Sequence, residues 1–210
     1  MGTADDELGR VIPGRFSSGP AADVLIGRTE VAQRVGALGE ELADLFRDER
    51  PPVLVGVLKG SFLFLADLIR AMDIDVVVDF MAISSYSQSG VVRIVKDLDE
   101  DIRGRHIVIV EDIVDTGLTL NYLRKTLLQR EVASLRAVTL LDKVARRIIP
   151  VPLELSAFDI PDVFVVGYGL DFQGLYRNTA DILAVRDLAR LAADPRLLVT
   201  QLFGFKGEGR

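Results

Sequence analysis

The 210-residue chain carries 25 Lys and Arg against 31 Asp and Glu, a net charge of -6 that weighs against general affinity for nucleic-acid phosphates. With 49% apolar and 27% charged residues it has the make-up of a folded globular protein, and its length suits one domain with a small appendage. The absence of cysteine excludes disulfides, zinc–thiolate sites and thiol nucleophiles, and the single histidine, His106, makes a protein-built metal cage a poor expectation. No apolar run reaches the roughly 20 residues needed to span a bilayer, and the opening MGTADDELGR lacks a signal peptide's basic-then-apolar order. Asp6 stands where an N-myristoylation signal carries Ser or Thr. The expectation is a cytoplasmic protein with no membrane or nucleic-acid partner.

Residues 1–23, rich in Gly, Pro and Ser from Gly9 onward, read as an N-terminal arm, with order beginning near Val24. From Thr29 to Phe46 the apolar residues Val31, Val35, Leu38, Leu42, Leu45 and Phe46 recur at helical spacing, with Thr29 suited to the N-cap and Glu30 to the first turn. The run VLVGVL predicts a strand over 53–58, Lys59-Gly60-Ser61 a turn, and residues 62–72 a helix. A further strand is predicted over 76–84, then a loop of small polar residues from Ser85 to Gly90 and a short returning strand over 91–95.

The run from Ile107 to Val110 predicts a buried strand feeding a helix over 118–130, with Leu120, Leu123, Leu127 and Leu128 on one face. Strands are predicted over 134–141, 153–158, 163–168 and 182–185, and a short helix over 188–193. The tail from Pro195 onward takes no assignment. Strands alternating with helices imply an α/β fold whose mainly parallel, twisted sheet is flanked by helices.

The segment IVIVEDIVDTGLTL (107–120) is where this pattern meets chemistry. A buried strand followed directly by Glu111, Asp112 and Asp115 puts charge at the carboxyl edge of the sheet, where open α/β folds hold ligands. The free backbone N–H groups of the turn from Asp115 to Thr119, with the positive end of the helix dipole, suit a phosphate. Thr116 and Thr119 offer hydroxyl donors, and Gly117 lets the backbone close around an anion. Three carboxylates would repel that phosphate unless they point elsewhere, and ribose hydroxyls suit Glu111 and Asp112. The turn has neither the three glycines of a dinucleotide fingerprint nor the Gly-Lys-Ser/Thr of a P-loop. Acids that merely solvate a strand end are the plain alternative, against which the paired acids and the third at fixed offset weigh.

These residues resemble the phosphoribosyl-pyrophosphate signature of the type I phosphoribosyltransferases. LKGSFLFLADL (58–68), SSY (84–86), VEDIVDTGLTL (110–120), LLDK (140–143) and IPDVFVVGYGLD (160–171) narrow the resemblance to the hypoxanthine-guanine branch, over about Val53 to Arg177. It implies a phosphoribosyltransferase domain with a small hood over 24–187, while the extension 188–210 has no clear counterpart. Glu111 and Asp112 would bind the ribose 2′ and 3′ hydroxyls, and the backbone from Asp115 through Leu118 to Thr119 would hold the 5′-phosphate. Asp115 would be the catalytic base near purine N7.

By the same resemblance Lys143 would donate to the 6-oxo group, Phe164 would stack on the purine, and the Val165 backbone would read its edge. Lys59-Gly60 matches the pyrophosphate loop, where a non-proline cis peptide is expected, and Arg177 would meet pyrophosphate. Mg²⁺ would be held by Asp171, with Glu111 and Asp112 as further ligands, jointly with substrate phosphates. Ser85-Tyr86 match the tip of a mobile loop that closes over the reaction centre.

Each residue also has a plain reading. Phe164 alone suits a core, Lys143 a solvated strand end, Lys59 a turn before glycine and Asp171 a turn beside Gly169. The implied activity is purine salvage from phosphoribosyl pyrophosphate and a 6-oxopurine, in a homodimer or homotetramer. Two alternatives stand beside it: a nucleotide-sensing RNA-binding regulator on the same fold, and a phosphoribosyltransferase for another base such as xanthine.

Overall fold

The computed structural model describes residues 20–85 and 92–204. It opens with β1 (Ala22–Ile26) and α1 (Arg28–Asp44), followed by β2 (Val53–Leu58), α2 (Phe62–Ala71), β3 (Val77–Ser85) and β4 (Val92–Lys96). Then come β5 (His106–Val114), α3 (Leu118–Leu128), β6 (Ser134–Asp142) and β7 (Leu155–Asp159). β8 (Phe164–Val166), β9 (Ile182–Val185), α4 (Leu188–Ala193) and α5 (Val199–Phe203) complete it. No helix among the described residues is long and apolar enough to cross a membrane.

The main sheet has the order β4-β3-β2-β5-β6-β7, parallel throughout except for β4, which returns antiparallel to β3. Period-two side-chain alternation sends Leu54, Val108 and Val110 into one apolar cluster with α1 and α2. Val53, Val55, Val57, Ile107 and Ile109 enter the other, against Leu120, Leu123 and Leu127 of α3. Burial on both faces is why these strands read as continuous apolar runs. β8 and the last strand, β9, leave this sheet and form a small antiparallel one of order β1-β9-β8.

Several local expectations shift. The arm gives way to a strand at Ala22, two residues before Val24, because Ala22 pairs with Val185 of β9. Thr29 is not the N-cap of α1: Gly27 occupies that position, and the carboxylate of Asp181 accepts the Arg28 N–H at 2.8 Å. A cap supplied from 153 residues away leaves no local signature. Leu45 and Leu128 lie exposed just past or at the ends of their helices, outside the apolar faces assigned to them. β5 runs to Val114, four residues beyond the predicted strand, so Glu111 and Asp112 stand within it rather than after it. The tail from Pro195 adds α5, and Leu198 before it buries completely, with Leu191 of the predicted helix α4, against Val166 and Leu183 of the small sheet.

The segment Asp97–Asp101 is tied to β3 by a buried carboxylate. Asp79 of β3, 5% exposed, accepts backbone N–H groups from Asp99 (2.8 Å), Glu100 (2.9 Å) and Phe80 (2.6 Å), with the Lys96 ammonium 3.7 Å away. Burial pushes this carboxyl up, but the three donors and Lys96 outweigh it and hold it below the usual carboxylate range. A depressed folded-state value stabilises the protein fully above the unfolded value, and the contribution is lost as pH falls through the folded one. Asp79→Asn is therefore expected to cost about 1–3 kcal/mol at pH 7 by urea unfolding. The difference from wild type should shrink as pH falls below about 4, and a pH-independent gap would refute the charge-based account.

Candidate functional site

β2 pairs with β5 only as far as Gly56 opposite Val110, whereas β5 pairs with β6 to Val114 opposite Asp142. The sheet thus parts at its carboxyl edge between β2 and β5, and a cavity of about 320 Å³ opens there. Its floor carries Glu111, Asp112 and Asp115, and one wall is the Lys59-Gly60 loop. Thr116, Gly117 and Thr119 form the turn into α3, and Asp171 with Arg177 closes the far side. The Leu58–Lys59 peptide is cis, in the loop where such a bond is expected.

Close contacts hold these parts together. A Cβ on Gly60 would lie 1.5 Å from Asp112 Oδ2, and one on Gly169 would lie 2.2 Å from the Gly60 carbonyl oxygen. Only bare backbone fits at either position, so the loop, the strand end and the Gly169 turn lock against each other. Gly117, at φ +85°, turns the chain into α3 in a conformation that L side chains rarely adopt. On the far side, Arg177 donates to the Gly169 carbonyl and pairs with Asp171 at 2.6 Å, while Asp171 accepts the Gly174 N–H at 2.6 Å.

Two acids of the floor, Glu111 and Asp112, are poorly compensated. Glu111 is buried, and its Oε1 has no hydrogen-bond partner. Burial, then the adjacent Asp112, pushes its carboxyl well above the usual range. Burial likewise pushes Asp112 up to about 6, against the opposing pull of the Ile113 N–H and Arg177 and with added repulsion from Asp171. Two adjacent carboxyls raised by burial are a site waiting for hydroxyl donors or a cation. A hard cation such as Mg²⁺, which keeps waters and needs one or two carboxylates, fits this donor set. No cluster of three ligands suited to a protein-built metal cage occurs among the described residues.

Asp115 Oδ1 meets the Arg146 Nε at 2.8 Å in an ion pair without hydrogen-bond alignment. Arg146 also donates to Asp162 at 3.2 Å, and Asp162 lies 3.9 Å from the Lys143 ammonium. Lys143 is buried, its own N–H bound to the Val114 carbonyl at 2.9 Å. Lys143, Phe164 and Val165 lie outside the cavity: Phe164 meets Phe172 edge-on at 5.8 Å, and Val165 is buried, paired with Ala184. Leu118 begins α3 with its side chain exposed. Ser85 ends β3, its side chain outside the described residues together with all of Tyr86.

Residues 28–173, more than half of the chain, match the family profile of the phosphoribosyl transferase domain. The chain belongs to the phosphoribosyltransferase family. A hypoxanthine phosphoribosyltransferase of Haemophilus influenzae is 47% identical over 162 residues, covering 74% of this chain and 90% of its own length. A hypoxanthine-guanine phosphoribosyltransferase of Bacillus subtilis is 46% identical over 159 residues, covering 74% and 88%. Among solved structures, the Trypanosoma cruzi hypoxanthine phosphoribosyltransferase in complex with the product IMP superposes with a TM-score of 0.76 at 40% identity, covering 83% of this chain and 99% of that one.

Within this phosphoribosyltransferase, the network joining Asp115 to Lys143 through Arg146 and Asp162 escaped the reading of the sequence. The signal was the pair Arg146-Arg147, three residues after Lys143 and in a 3-10 turn whose backbone stitches onto the acidic turn: the Ile148 N–H donates to the Thr116 carbonyl at 3.0 Å. Arg147 reaches the Asp115 carbonyl at 3.3 Å and pairs with Asp142. The packing of Gly60 on Asp112 can be tested with a double-mutant cycle. Gly60→Ala should destabilise by about 1–3 kcal/mol in chemical unfolding, and the cost should drop by at least about 1 kcal/mol in an Asp112→Ala background. Additive losses would place the clash elsewhere.

Proposed function

We propose that the protein is a purine-salvage transferase. It moves the 5-phosphoribosyl group from phosphoribosyl pyrophosphate to N9 of hypoxanthine or guanine, giving IMP or GMP and pyrophosphate. The observation that carries this reading is the single cavity in which the acidic strand end, the helix-opening turn, the Lys59-Gly60 loop and the Asp171–Arg177 pair converge. The names of the relatives support it and favour it over an RNA-binding regulator.

Glu111 and Asp112 accept hydrogen bonds from the ribose 2′ and 3′ hydroxyls, which gives the orphaned Glu111 oxygen a donor. The N–H groups from Asp115 to Thr119 hold the 5′-phosphate at the start of α3, with Thr116 and Thr119 adding hydroxyls. Arg177 and the Lys59-Gly60 loop hold the pyrophosphate. Asp171, with Glu111 and Asp112, would hold Mg²⁺, which would supply positive charge at the pyrophosphate end of the substrate. Lys143 donates to the purine 6-oxo oxygen, Phe164 stacks on the ring, and the Val165 backbone reads its edge. Ser85-Tyr86 close over the site and exclude water.

As the C1′–oxygen bond to pyrophosphate breaks, N9 forms the new bond to C1′. Asp115 takes the proton released at N7. For that it must exchange its ion pair with Arg146 for the base, and Asp162 is placed to keep the guanidinium. Positioning of two bound substrates supplies most of the rate. The enzyme is proposed to act in the cytoplasm as a homodimer or homotetramer.

Incubation with phosphoribosyl pyrophosphate, Mg²⁺ and each nucleobase in turn should yield a monophosphate with hypoxanthine or guanine. The absence of product with every 6-oxopurine would refute the reading. Asp115→Asn should lower kcat by about 10²-fold or more while phosphoribosyl-pyrophosphate binding by calorimetry changes little. Unchanged turnover would remove Asp115 from proton transfer.

A further inference from the structure

The segment after Asp187 lies beyond the family profile, which stops at residue 173, and it packs on Tyr176, the neighbour of the cavity-lining Arg177. α4 is capped by Asp187, whose carboxylate accepts the Arg190 N–H at 2.9 Å. Leu191 and Leu198 sit fully buried beside Tyr176. The Tyr176 hydroxyl donates to the Pro195 carbonyl and accepts the Leu198 N–H at 3.3 Å. At the other end of the segment, the Gln201 amide spans the start of β1: Oε1 accepts the Ala21 N–H at 3.2 Å, and Nε2 donates to the Ala22 carbonyl at 2.7 Å.

Tyr176 directly precedes Arg177. It is 3% exposed and holds φ at +75°, a conformation that a bulky L residue keeps only where its surroundings impose it. Here the surroundings are the small sheet, with Val166 and Leu183, and the C-terminal segment, which alone bonds the hydroxyl. The same backbone delivers the Arg177 guanidinium to the Gly169 carbonyl and Asp171, at the mouth of the cavity.

We propose that the C-terminal segment is a clasp that fixes Arg177 through Tyr176, a positioning residue, and so sets affinity for the pyrophosphate end of phosphoribosyl pyrophosphate. The assignment of pyrophosphate to Arg177 rests on the function proposed above. The acids, the phosphate turn and Lys143 lie on β5, on the turn into α3 and directly after β6, away from this cluster, whereas Phe164 packs against it, so an effect on phosphoribosyl pyrophosphate is separated from one on the purine by the Tyr176 hydroxyl alone.

Tyr176→Phe tests this, since it keeps the ring that fills the cluster and deletes only the hydroxyl. The KM for phosphoribosyl pyrophosphate and the Kd for magnesium pyrophosphate by calorimetry should each rise about fivefold, with kcat and the KM for hypoxanthine within about twofold of wild type. Gln201→Ala, which frees α5 from β1 without touching Tyr176, should move the same two constants upward by a smaller factor. A fall in thermal midpoint with both constants unchanged, or an equal rise in the two KM values, would make the segment a structural prop and overturn the proposal. If wild type formed no product with any 6-oxopurine, the activity reading would fall. The pyrophosphate titration of wild type and Tyr176→Phe would still decide the clasp.

Discussion

The uneven pairing of β5 with its two neighbours underlies everything at this site. With β6 the ladder continues to Val114, while with β2 it stops at Val110. β2 leads to β3 on one side, and β5 leads through α3 to β6 on the other, so the two connections diverge. A crevice at such a divergence is a consequence of topology, and side chains then determine what it holds. Here the Lys59-Gly60 loop turns into the vacated space, and Asp112 fills the room left by the missing Cβ of Gly60.

The crevice floor works against stability. Two neighbouring carboxyls with little compensation are what a folding-only sequence would avoid, since burial penalises each charge and proximity penalises the second. The surrounding clusters, with Val53, Leu54, Val108 and Ile109 wholly buried on the two faces of the same strands, hold the arrangement in place. Rigidity in β2 and β5 is thus what allows an unfavourable electrostatic arrangement to persist beside them.

Much of this was legible in the chain. The apolar runs of β2 and β6 and the helical spacing of Val31, Val35, Leu38 and Leu42 are strong periodic signals, and they match the elements closely. The acidic turn was legible because its residues are contiguous. What escaped were interactions between distant segments: the Asp181 cap on α1, the bond from Gln201 to β1, and the Arg146 contact with Asp115. Each joins residues whose local spacing says nothing of the partner. The extent of β5 was underestimated for a related reason, because charged Glu111 and Asp112 look like loop residues until β6 supplies a partner strand.

The pairing of β1 with β9 has a consequence for the order of assembly. β1 leaves the ribosome before its partner β9 and the Asp181 that caps α1, which emerge more than 150 residues later. The nascent chain must therefore carry this strand unpaired with β9 and this helix end without its Asp181 cap while the intervening residues are made. Val24, 61% exposed even in the finished sheet, would be part of that waiting edge. The central sheet can consolidate as it emerges, whereas the small sheet, which joins strands far apart in the chain, forms last.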